Sequence, residues 1–141
     1  MSHKSTTPDL VELVTGLFEA ADRGDWDALI RPYAPDVVIE SEDGLLDAAG
    51  ASEARRLWEG YVEMFEDFRI KVETVDDLGN GVVYATVRQE GRPRGSTSVA
   101  TARGAFTYTW VEGMIVRVIT GWATDESRAS ALRLAASTGQ T

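Results

Sequence analysis

The sequence predicts a single α+β domain in which three helices and a short one pack on a strongly curved, mostly antiparallel sheet and leave a conical hollow. Three observations predict it. Between Pro8 and Gly24, and again between Ser52 and Phe68, apolar side chains recur at three- and four-residue steps, the period of a helix that buries one face. From Arg69 to Ala123 the period becomes two and the residues become β-branched and aromatic, the mark of strands. Within that stretch Asn80-Gly81 and Glu112-Gly113 supply tight turns, so consecutive strands return beside one another as a meander.

Each element can be justified in order. Thr7-Pro8-Asp9 reads as a helix start, with a capping hydroxyl, Pro at the first helical position and an acid in the first turn. Leu10, Leu13, Val14, Leu17, Phe18 and Ala21 give this helix one apolar face, and Gly24 ends it. Asp25 caps a short second helix carrying Trp26, Leu29 and Ile30. Val37 to Glu40 is a short strand. Residues 41–50 read as an acidic, glycine-containing loop with a minor strand at Leu45-Leu46. Ser52 is placed as the cap of the third helix, whose face holds Trp58, Tyr61, Phe65 and Phe68.

Strands are then expected at Arg69–Val75, Val82–Gln89, Thr97–Val111 and Met114–Ala123, with a wider loop at residues 91–95. Thr124 or Asp125 caps a last helix with Ala129, Leu132 and Ala135 on its apolar face. The domain is thus placed at residues 8–136, with a loose tail at residues 1–7 and a polar tail at residues 137–141.

Composition narrows the function. The chain has 141 residues, 43% of them hydrophobic, enough for one domain with a real core. Its net charge of -9, with basic residues scattered among more numerous carboxylates, argues against nucleic acid and against anionic membrane surfaces. Without cysteine there is no disulfide, thiolate nucleophile or cysteine metal site. The one histidine, His3, lies in the tail, which removes a histidine base, a histidine metal site and a Ser-His-Asp triad. No apolar run has the length of a transmembrane span or a signal-peptide core, so a cytoplasmic location is expected, and no cofactor or metal.

Three segments carry a resemblance. Phe18 to Trp26, Tyr33 to Glu40, and Val111 to Val118 followed by Trp122, Asp125 and Glu126 resemble the SnoaL-like branch of the nuclear transport factor 2-like superfamily. The likeness runs in register over residues 8–136. It implies a cystatin-like cone with an apolar pocket, and a homodimer through the outer sheet face. Matching strand by strand, it places Val116, Val118, Thr120 and Trp122 toward the pocket, together with Arg103, Ala105, Thr107 and Thr109. Phe106, Tyr108 and Trp110 would then form an aromatic row outside, as a face covered by a second subunit would. The family includes isomerases, polyketide cyclases, epoxide hydrolases, dehydratases and binders without activity, so it leaves the reaction open.

Set against the ketosteroid-isomerase relatives, the base falls at Ser41, the tyrosine at Leu17 and the sheet aspartate at Ala105 or nearby, so that chemistry is missing at all three positions unless a shift of register brings Glu40 or Glu42 to the base role. The limonene-epoxide-hydrolase relatives use an Arg-x-Asp pair, which Arg88 and Glu90 echo; an exposed strand-end ion pair explains those two residues as well. Two further residues carry chemistry by type and place. Glu40 ends an apolar strand at the mouth of the expected pocket, where burial would make it a general acid or base; the alternative is a solvated edge carboxylate. Arg103 stands alone on an uncharged strand, where it would clamp an anion or pair with Glu40, or else extend its head to water.

The resulting expectation is a pocket for a small apolar molecule, lined by Trp58, Tyr61, Val118, Thr120 and Trp122, with Glu40 and Arg103 as catalytic candidates. The chemistry would be cofactor-free isomerisation, cyclisation, hydration or hydrolysis; the alternative is a non-catalytic binding or dimerisation module. Adjacent acids such as Glu42-Asp43 and Asp76-Asp77 read as solvated surface, and no glycine motif cradles a phosphate.

Overall fold

The computed structural model describes residues 9–138. Asp9 caps α1 (Leu10–Arg23) by accepting a hydrogen bond from the Val11 N–H at 2.9 Å. The expected roles of Thr7 and Pro8 lie outside the described residues. Gly24 ends α1 at φ 74°, and Asp25 caps α2 (Trp26–Ile30) through the Ala28 N–H.

Six strands follow: β1 (Tyr33–Ser41), β2 (Ala48–Ala49), β3 (Phe65–Gly79), β4 (Val82–Pro93), β5 (Ala100–Val111) and β6 (Met114–Trp122). With α3 (Ala51–Glu63) between β2 and β3, and α4 (Asp125–Thr138) last, they form one sheet of order β2-β1-β6-β5-β4-β3. Only β1 and β6 run parallel; the other pairs are antiparallel. No described helix is long and apolar enough to cross a membrane.

The sheet is buried on both sides at its middle. Six consecutive β4 residues, Val82 to Val87, are buried. Val83, Ala85 and Val87 join the core under α1–α3, while Tyr84 packs with Ala131 of α4 on the other face. These are the inner and outer faces. A Thr124–Ser127 capping pair starts α4, each side-chain oxygen accepting the other's backbone N–H.

Several boundaries differ from the sequence reading: β1 starts at Tyr33, β3 at Phe65 and β5 at Ala100, and β4 reaches Pro93 into the expected loop. The third helix stops at Glu63 and starts on Gly50 without a side-chain cap, so Ser52 does not cap it. Phe65 and Phe68 belong to β3, with Asp67 at φ 56° beside a bulge between Glu66 and Arg69. Both rings still meet Tyr61, tilted and edge-on, at centroid distances of 5.5 and 6.1 Å. The minor strand forms at Ala48-Ala49 rather than Leu45-Leu46, pairing with Val38 and Ile39. The Asn80-Gly81 and Glu112-Gly113 turns form as expected, all four residues having positive φ.

The end of α1 is fastened to β3. The Asp22 carboxylate accepts two hydrogen bonds from Arg69, at 2.9 and 2.8 Å, and one from the Ile70 N–H at 2.9 Å. Lys71 lies 3.5 Å away. The Arg69 guanidinium, above all, holds this carboxyl far below the usual carboxylate range.

Candidate functional site

Helices α1–α3 and the inner face of the sheet enclose a cavity of about 300 Å³, at the small end for ligand pockets. Aromatic rings make most of the wall. Phe18 of α1 meets Phe106 and Tyr108 of β5 edge-on, at 5.1 and 6.2 Å between centroids. Phe106 and Tyr108 stack at 6.2 Å, and Trp58 of α3 leans on Phe106 at 5.9 Å.

The polar groups on this wall are few. Trp58 Nε1 donates to the Tyr33 hydroxyl at 3.2 Å, and Gln89 Nε2 donates to the Tyr61 hydroxyl at 2.7 Å. An indole nitrogen is only a donor, so the Tyr33 oxygen accepts and keeps its own proton to give. No acceptor for that proton is found among the described residues, and the Tyr108 hydroxyl has no hydrogen-bond partner among them either. Both tyrosines are buried, and burial pushes both phenols well above the usual tyrosine range. Burial also raises Tyr61, against the smaller opposing pull of Gln89. The deep end of the cavity therefore presents two protonated donors.

The mouth is formed by the Ser41–Asp47 loop and by Trp122, which is 63% exposed. The loop holds itself in place: the Ser41 hydroxyl donates to Asp43 at 2.9 Å and accepts from the Leu46 N–H, and the Ser41 N–H donates to Asp47. The Glu42 N–H bonds to the Thr120 carbonyl, tying the loop to β6. The Glu42 carboxylate lies where a Cβ on Gly121 would stand. Gly121 pairs with Ala105, an outer-face residue beneath α4, so that carboxylate turns toward the outer side of the sheet.

Of the residues expected at the pocket, Trp58, Tyr61, Thr120 and Trp122 line the cavity. Val118 is buried in the core around it. The two catalytic candidates are elsewhere, and both assignments are corrected. Along β1 the side chains of Val37, Ile39 and Ser41 point inward, so the intervening Glu40 points outward and pairs with Arg117 at 2.6 Å. Arg103 is on the outer face and pairs with Glu73 at 2.7 Å. Arg88 lies directly across β4–β5 from Arg103, outside the cavity with Glu90.

The facing of β5 is reversed from the expectation. Phe106 pairs across from Thr120, and Tyr108 across from Val118, and directly opposed residues share a face. Phe106 and Tyr108 therefore face inward, Trp110 is core, and Ala105 and Thr107 lie under α4. The aromatic row that suggested a dimer through the outer face is inside the protein, and α4 covers part of that face. Phe18, Tyr33, Phe68, Gln89, Phe106 and Tyr108 are site residues the sequence reading missed; the one available signal was that β5 alternates aromatic with small polar residues, and aromatic sides face cores. No group of three or more metal-ligating side chains occurs among the described residues.

Comparison with known proteins places this geometry in a family. The model of the SnoaL-like domain matches residues 14–118. No curated protein sequence matches. Among solved structures, a nuclear transport factor 2-like protein from Burkholderia thailandensis superposes with a TM-score of 0.72 at 21% identity, over 90% of this chain and 98% of that one. A Catenulispora acidiphila protein of ketosteroid isomerase-like fold, in complex with trimethylamine, gives 0.71 at 16% identity, covering 89% and 94%. A Mycobacterium tuberculosis protein in complex with estradiol-17beta-hemisuccinate gives 0.66 at 17% identity, covering 81% and 93%. At these identities the likeness is one of fold.

Proposed function

The chain belongs to the SnoaL-like domain family, and from that premise we propose that it binds a small, largely apolar molecule carrying an oxygen acceptor, with the oxygen at the Tyr33–Tyr108 end of the cavity. One observation carries this reading: two buried phenol donors on an aromatic wall have no protein acceptor among the described residues. Both hydroxyls belong to residues that line the cavity, so a ligand carbonyl, ether or hydroxyl can accept a proton there in place of water. Tyrosine phenols are protonated at neutral pH, and burial raises both further, so both groups remain donors. The rings supply the apolar area that holds a flat body. Proteins of the same fold, solved with estradiol-17beta-hemisuccinate and with trimethylamine, support small-molecule binding.

Binding is favoured over catalysis by what the cavity interior holds. Isomerisation, cyclisation or hydrolysis by acid-base chemistry needs a base within hydrogen-bond reach of the substrate. Glu40 faces the wrong side of β1, the Glu42 carboxylate turns to the outer face, and Asp43 is occupied by Ser41 and the Leu45 N–H. A calorimetric titration with acetonaphthone, a flat ketone, tests the proposal against ethylnaphthalene, which lacks the oxygen. Saturable binding that is tighter for the ketone is expected. No heat and no protection from thermal unfolding up to the solubility limit of either compound would remove the proposal.

A further inference from the structure

Resting on that binding reading, we propose that the cavity selects by charge: it takes an organic cation, with an apolar body inside and a protonated amine at the mouth, and rejects the matching carboxylate. Among the described residues the cavity lining contains no Lys, Arg or His; its charged residues are Glu42 and Asp43. The loop that carries them adds Asp47 and has no base. Of the nearby strand arginines, Arg103 pairs with Glu73, Arg92 with Glu66 and Arg117 with Glu40, while Arg88 stands on the outer face beside Arg103. The Glu42 carboxylate has no ion-pair partner among the described residues. The whole chain carries -9, so the field at the mouth attracts cations.

Aromatic faces act in the same direction. Trp122 stands exposed at the lip, next in sequence to the glycine that the Glu42 carboxylate covers, and Tyr61 lies further along the wall. An ammonium at the mouth meets the negative face of an indole and stands in the field of Asp43 and of Glu42, whose carboxylate lies over Gly121 toward the outer side of the sheet. A carboxylate placed there loses its hydration and meets no positive partner. The unpaired Tyr108 hydroxyl, in a residue 2% exposed, marks the opposite end as the place for a neutral acceptor. The preferred ligand is thus two-ended, with oxygen deep and nitrogen at the mouth.

Three probes with one scaffold test this: naphthylethanol, naphthylethylamine and naphthylacetate, titrated by calorimetry into the full chain at neutral pH. The amine is expected to bind at least tenfold tighter than the carboxylate, with the alcohol between them. That ratio is expected to shrink as salt shortens the screening length from about 10 Å at 0.1 M to about 3 Å at 1 M. Glu42→Gln is expected to lower the amine-to-carboxylate ratio several-fold. If the alcohol binds and the carboxylate binds as well as or better than the amine, charge selection is overturned while the pocket stands. If the ratio ignores both salt and Glu42→Gln, the acidic mouth is not its source and the inference fails. If none of the three binds, the binding reading itself fails.

Discussion

The indole N–H of Trp58 donates to the hydroxyl of Tyr33 at 3.2 Å, joining α3 to β1 inside the cavity wall. This bond fixes the Tyr33 oxygen as an acceptor on one side and so directs its proton away from Trp58. Replacing Trp58 by Phe removes the donor and part of the packing against Phe106. A loss of about 1–3 kcal/mol is expected in urea denaturation. A double-mutant cycle with Tyr33→Phe is expected to show coupling of about 1 kcal/mol, whereas additivity would mean that the bond contributes nothing.

Trp122 is exposed, so its role is separable from folding. Trp122→Ala is expected to change stability by no more than about 0.5 kcal/mol, as exposed substitutions do. Affinity for a naphthalene probe is expected to fall several-fold, because the lip loses its ring. Equal affinity for wild type and variant would take Trp122 out of the site.

Acid stability is expected to depend on Asp22. Its carboxyl titrates lower in the folded chain than in the unfolded chain, because Arg69 and the Ile70 N–H bind the charged form. The stabilisation is therefore complete above the ordinary aspartate range, near pH 4, and declines as pH falls below it. Arg69 is half in water, which limits the contribution to about 1 kcal/mol. Asp22→Asn is expected to lower stability at pH 7 and to reduce the difference between pH 7 and pH 3. A variant whose stability curve parallels the wild type across that range would contradict the assignment.

Gly81 is a turn residue that nothing else replaces. It sits at φ 81°, and a Cβ there would overlap the Trp110 carbonyl, while the Trp110 N–H is bonded to Gly81 O at 2.8 Å. Gly81→Ala is expected to destabilise by about 2 kcal/mol or more, read as a lower denaturation midpoint with an unchanged slope. Gly16→Ala, in α1 with open space around its Cα, is the control and is expected to be neutral or stabilising.

The order of the elements was legible because Gly24, Asn80-Gly81 and Glu112-Gly113 punctuate clear periodic runs. The end of α3 was not, since Tyr61, Phe65 and Phe68 have helical spacing whether the last two lie on a helix or pack back from a bulged strand. The cavity was legible in outline through Trp58, Tyr61, Thr120 and Trp122. Its chemistry was not, because period-two strands reveal two faces without saying which is inside, and a one-residue slip in an assumed register exchanges them. That slip put Arg103 inside and Tyr108 outside. Glu40 was misplaced for a related reason: the apolar run Val37-Val38-Ile39 hides the alternation that turns Glu40 outward. Tyr33, flanked by prolines in sequence, gave no sign that its hydroxyl would meet Trp58.

The central claim is that the Tyr108 hydroxyl, which opens into the cavity without a protein partner, gives its proton to a ligand oxygen. The most direct test measures two quantities on Tyr108→Phe: acetonaphthone affinity by calorimetry and stability by urea denaturation. Affinity is expected to drop about fivefold, the equivalent of one lost hydrogen bond of about 1 kcal/mol, while stability stays level or rises. A variant that binds the ketone as tightly as the wild type would contradict the claim, as would one that loses stability as a residue with a satisfied hydroxyl does.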